Sequence, residues 1–99
     1  MKVKKEKLFL RNQNLERNPS NQKKSLLYKK IRDHINNIGY IINPLLVIKQ
    51  EDRYKVVYGN NRYLAGLELG FKEFDVEVLQ NDNIFTIKEA AEKYKEVKL

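Results

Sequence analysis

The segment Asn43-Pro-Leu-Leu-Val-Ile48 constrains the fold of this chain more than any other stretch of it. Proline disfavours helix at the residue before it, so the chain enters the segment extended. The continuous apolar run Leu45 to Ile48 lacks the polar alternation of a half-exposed strand and is predicted to be a central strand covered on both faces. Gln50-Glu-Asp52 turns the chain. Arg53 to Tyr58 then alternates, with Tyr54, Val56 and Tyr58 on one face, which makes it the hairpin partner. Helical patterns on either side of this hairpin give the expected class: α/β, a small mixed sheet with two to three helices.

Before the hairpin, Lys7 to Leu10 reads as a short strand and Asn12 to Asn21 as polar and turn-forming, with Asn18 capping a helix whose first position is Pro19. From Lys23 to Ile38 the apolar residues Leu27, Ile31, Ile35 and Ile38 recur at helical spacing, and Gly39 ends the run. His34 falls within that stripe, where it is either a half-buried imidazole near a helix C-terminus or a ligand or proton-transfer group lining a cleft.

After the hairpin, Gly59 makes a tight turn into a helix from about Asn61 to Leu69 that buries Tyr63, Leu64 and Leu67, with Gly66 allowing close packing and Gly70 ending it. Phe74, Val76 and Val78 alternate with Asp75 and Glu77, the pattern of a strand with one wet face. Thr86-Ile-Lys-Glu89 is a capping box, and the stripe Ile87, Ala90, Ala91, Tyr94 and Val97 predicts a last helix that packs on the sheet or makes a homodimer contact. Tyr54, Tyr58, Tyr63, Phe71 and Phe74 are expected to pack in the core.

Ninety-nine residues suit a single domain spanning 1–99, in which residues 1–6 form a basic arm. The chain has no cysteine and one histidine, which excludes thiolate chemistry and Cys- or multi-His metal sites, so no metal ligand is assigned. No apolar run approaches transmembrane length and the N-terminus lacks a secretory core, so a soluble, cytoplasmic protein with no membrane contact is expected. A charged fraction of 33% fits a thermostable protein. The net charge of +7 is concentrated: residues 1–32 hold eleven Lys/Arg and two acids, residues 33–99 nine and eleven. That asymmetry makes nucleic acid an expected partner, contacted through Lys2, Lys4, Lys5, Lys7 and Arg11.

Three segments carry a resemblance. Ile38-Gly39-Tyr-Ile-Ile-Asn-Pro44-Leu-Leu-Val47, Tyr54-Lys-Val-Val-Tyr-Gly59-Asn-Asn-Arg62-Tyr-Leu-Ala65-Gly-Leu-Glu-Leu-Gly70 and Ile84-Phe-Thr-Ile-Lys-Glu-Ala-Ala-Glu-Lys-Tyr94 resemble the ParB/sulfiredoxin-like N-terminal domain family, without its helix-turn-helix. The resemblance implies a phosphate-binding turn at Gly59, Asn60, Asn61 and Arg62, and a pocket lined by Gly39, Tyr40, Asn43 and Pro44 that takes a nucleotide triphosphate. It assigns no catalytic residue. Where sulfiredoxins place their cysteine stands Asn60, and the acidic residue and paired arginines of partition proteins are replaced by Asn60, Asn61 and Arg62. Of the acids, Glu51, Asp52 and Glu68 are those expected to approach the turn on folding. The function implied is a DNA-associated accessory protein that binds nucleotide or nucleic-acid phosphate. The alternatives are a ligand-free scaffold that self-associates through Tyr94 and its neighbours on the last helix, a minimal nuclease or phosphotransferase with a metal held by scattered carboxylates, for which no local cluster is seen, and a purely architectural turn in which Asn60 caps the helix and Arg62 pairs with Glu68 or Asp33.

Overall fold

The computed structural model describes residues 1–94. Five strands form one mixed sheet: β1 (Lys2–Lys4), β2 (Leu8–Leu10), β3 (Leu45–Gln50), β4 (Arg53–Tyr58) and β5 (Glu73–Leu79), in the order β1-β5-β3-β4-β2. The hairpin β3–β4 is antiparallel, β3 pairs parallel with β5 and β2 parallel with β4, while β1 closes the far edge antiparallel to β5. The strand expected at the centre is there. Leu45 and Val47 join the core on one face and Leu46 the core on the other, and all three are buried.

The helices are α1 (Gln13–Arg17), α2 (Ser20–Lys23), α3 (Leu26–Ile38), α4 (Asn60–Glu68) and α5 (Ile84–Glu92). Five therefore stand where two to three were expected, because the polar stretch after β2 holds two short ones. Asn12 caps α1 by accepting from the Leu15 N–H, and α2 begins after Pro19. Such short turns carry no apolar stripe, so periodicity does not show them.

α3 and α4 cover one face of the sheet, where Tyr28, Ile31, Ile35, Tyr63 and Leu64 meet Val47, Val56, Phe74 and Val76. Ser25 caps α3, and Tyr28 takes the buried place that the spacing gave to Leu27, which is 58% exposed. Leu67 likewise faces out, and Ala65 and Gly66 face in: a Cβ on Gly66 would lie 2.4 Å from the Phe74 ring, so glycine lets α4 descend onto β5. Tyr63 and Phe74 pack with centroids 5.4 Å apart. α5 covers the opposite face, with Ile87, Ala90 and Ala91 on Leu46 and Leu79. Its cap is Asn83, accepting from the Phe85 N–H, and Thr86 lies inside the helix. Val78 is exposed at the end of β5, where Leu79 turns to the α5 side. Val97 lies outside the described residues.

The basic arm is not free. Residues 2–4 are an edge strand with Val3 in the core, followed by a short 3-10 turn over residues 5–7. Lys2 pairs with Asp75 and Lys7 with Asp52, both on the surface. No helix among the described residues is long and apolar enough to cross a membrane.

Candidate functional site

The passage from β4 into α4 is made by Gly59, at φ +104°. A side chain is strained at that angle, and a Cβ there would also lie 2.9 Å from both the Arg62 Nη2 and the Leu45 Cδ2. The space glycine leaves is thus taken by the Arg62 guanidinium, folded back beneath the turn. The resemblance implied that a phosphate would approach the backbone at this point. Arg62 Nη1 donates to the Pro44 carbonyl at 3.1 Å, and its Cζ lies 5.5 Å from the Tyr58 ring centroid. One side chain therefore ties together two of the three segments singled out in the sequence.

Burial pushes the Arg62 guanidinium below its ordinary pKa. Guanidinium titrates so high that the group keeps its charge at neutral pH. Neither Glu68 nor Asp33 pairs with it, and no carboxylate among the described residues lies within ion-pair distance. The first turn of α4 also lacks a cap: Asn60 is its first residue and no side chain accepts from its N–H groups. A helix start leaves those donors without intrahelical partners and carries about half a positive charge.

Beside this turn lies a cavity of about 650 Å³, walled by α1 to α4, the segment Ile41 to Asn43, and the end of α5. Its floor is aliphatic, including Ile31, Ile35 and Ile41. Its rim carries the amides of Asn12, Gln22, Asn43, Asn60 and Asn61. Gln22 Nε2 donates to Asn61 Oδ1 at 2.8 Å, which holds α2 against the start of α4. This wall went unread in the sequence because a long-range amide pair has no spacing signature. His34 is half-buried, as its structural reading expected, and also lines the cavity, and its Nε2 is buried without a hydrogen-bond partner among the described residues. Of the residues expected from the Gly39 segment, Asn43 is on the wall and Pro44 supplies its carbonyl to Arg62. Gly39 and Tyr40 lie off the cavity. Gly39 ends α3 in the left-handed conformation, and Tyr40 is 59% exposed.

None of the acids expected near the turn reaches it. Glu51 and Asp52 sit at the hairpin tip, between β3 and β4. Glu68 is at the other end of α4, about 12 Å of helix rise from Asn60, where it accepts from the Tyr28 hydroxyl at 2.8 Å and pairs with Lys23 and Arg32. Burial, then that hydrogen bond, pushes the Tyr28 phenol up to about 12. Tyr94, expected as the anchor of a self-association contact, lines the cavity and donates to Glu77 at 2.6 Å. That bond lowers the Glu77 carboxyl and raises the Tyr94 phenol. Arg11 is engaged with Asp82, which also holds Lys55 at 2.9 Å. Among the described residues no group of three or more His, Asp or Glu is placed to hold a metal ion.

No protein-family model matches the chain, and no curated protein matches it significantly. Solved structures do. Sulfiredoxin from Arabidopsis thaliana is 22% identical with a TM-score of 0.62, over 98% of this chain and 97% of that one. The C-terminally truncated chromosome-partitioning protein ParB from Caulobacter crescentus, complexed with CTP-γ-S, is 20% identical with a TM-score of 0.63, over 100% of this chain and 54% of that one. The fold is ParB/sulfiredoxin-like. A free serine kinase in complex with AMP shares it at 17% identity and a TM-score of 0.61, over 85% of this chain and 32% of that one. The chain thus spans nearly all of the sulfiredoxin structure but about half of the ParB structure and a third of the kinase. This ParB/sulfiredoxin-like fold is the mixed α+β arrangement expected from the sequence, with more helices.

Proposed function

We propose that this protein binds a nucleotide by its phosphate at the start of α4. The observation that carries the proposal is a mostly buried guanidinium with no carboxylate partner among the described residues, set beneath an uncapped helix N-terminus on a cavity wall. A buried charge is costly unless it is paired, and an anion at this turn would meet Arg62, the free N–H groups and the Asn60 and Asn61 amides together. The aliphatic floor would take the remainder of the ligand. The fold neighbours carrying CTP-γ-S and AMP support a nucleotide. The nucleic-acid reading has the basic excess and a fold neighbour complexed to the centromeric parS site behind it, but Lys2, Lys7 and Arg11 are already in ion pairs. The scaffold reading needs an outward anchor, whereas Tyr94 turns toward Glu77.

Thermal unfolding with and without nucleotides tests the proposal. A ligand at a hundredfold excess over Kd stabilises the folded state by about 2.7 kcal/mol. Arg62→Ala is expected to abolish that shift. In the free protein it loses the Pro44 bond and the Tyr58 contact but also removes a half-buried charge with no carboxylate partner among the described residues, so its own stability should stay within about 1 kcal/mol of wild type. A wild type whose melting no nucleotide or phosphate alters would leave the turn as architecture.

A further inference from the structure

The cavity's donor set narrows the ligand. Its described walls offer a guanidinium, backbone N–H groups, amides, phenols and the His34 imidazole, but no carboxylate. Proteins hold Mg²⁺ through one or two carboxylates together with the ligand's phosphates. Here Glu51, Asp52 and Glu68 all lie elsewhere, Asp33 is paired with Arg32, and Glu77 is engaged by Tyr94 and Lys93. The positive charge at the turn is correspondingly small: one guanidinium and about half a charge from the helix start. A phosphate monoester carries about −1.5 to −2. Those amounts nearly cancel, whereas each further phosphate adds negative charge that nothing on the described walls is placed to neutralise.

Building on the phosphate reading above, we infer that this cavity is a site for a phosphate monoester with a carbon body, taken up without a divalent cation held by the protein. The phosphoryl oxygens sit at Asn60, Asn61 and Arg62, and the body lies on the aliphatic floor formed by Ile31, Ile35 and Ile41. The rim amides then orient the body's polar edge.

Titration calorimetry on the full chain decides this, with AMP, CMP, ribose 5-phosphate, inorganic phosphate, ATP and CTP, each first in EDTA and then in Mg²⁺. At least one monoester is expected to bind in EDTA, with an affinity that Mg²⁺ changes by less than about tenfold. Which monoester binds best separates a nucleotide source from a sugar-phosphate source. Binding seen only for triphosphates with Mg²⁺ would overturn the inference while leaving a phosphate site at the turn. Silence from every probe in both conditions would overturn the phosphate site as well. A second variant, Asn60→Asp, puts a carboxylate where a helix start tolerates it, so the protein should fold. It should weaken monoester binding in EDTA at least about tenfold. An unchanged affinity would show that the anion does not sit at this turn.

Discussion

The two ends of α4 present the same ingredients and use them differently. At its C-terminal end Glu68 is matched by the Tyr28 hydroxyl, Lys23 and Arg32, and Gly70 follows at φ +87° with open space around it. At its N-terminal end Arg62 is half-buried against Pro44 and Tyr58 with no opposite charge among the described residues, and the glycine there is crowded. Charge by itself does not mark a site. What distinguishes the N-terminal end is that folding has desolvated an ion and left its compensation open, whereas at the other end folding has completed it.

The largest expected effect compares the two glycines. Gly59→Ala combines a left-handed backbone, about 1–2 kcal/mol, with overpacking against Arg62 and Leu45, about 1–3 kcal/mol. Chemical denaturation should show a loss of about 2–5 kcal/mol together with loss of any phosphate response. Gly70→Ala bears only the backbone strain, about 1–2 kcal/mol, and should keep that response. Equal losses at both ends would break the comparison, since they would mean that the guanidinium does not need the glycine's space.

Alkaline pH probes the satisfied end. Tyr28 titrates at about 12 in the folded protein against about 10 ordinarily, so its contribution is complete below about pH 10 and disappears as pH rises toward 12. Denaturation midpoints should fall across that window, with about 2–3 kcal/mol assignable to Tyr28. Tyr28→Phe should shrink the fall without removing it, because the Tyr63 and Tyr94 phenols are also raised.

The smallest effect sharpens the contrast most. Glu68→Gln keeps an acceptor for Tyr28 and weakens two half-exposed ion pairs, so it should cost about 0.5–1 kcal/mol and leave the phosphate response intact. Arg62→Ala is expected to do the reverse. If Glu68→Gln also removed the response, the two ends would be one coupled unit.

Much of the frame was legible in local pattern. The Leu45 to Ile48 run, the β3–β4 hairpin and the glycine that ends α3 depend on strand periodicity and on backbone angles that few residues adopt, and these are properties of a few adjacent residues. The α1 and α2 turns and the burial of Tyr28 in place of Leu27 were not legible. Short capped turns have no period, and the rotation of a helix about its axis is set by what it packs against. The same division runs through the site. The sequence determined that a glycine would turn β4 into a helix starting at about Asn61, one residue from where it does start, because the chain there has a strand pattern, a residue free to adopt positive φ, and a helical pattern in succession. Only the tertiary structure decided that Arg62 would fold beneath that glycine to Pro44, that Glu68 and Asp33 would be spent on other partners, and that Gln22, His34 and Tyr94 would share its cavity. Those outcomes depend on contacts between residues far apart in the chain, and burial and charge compensation exist only once such contacts have formed.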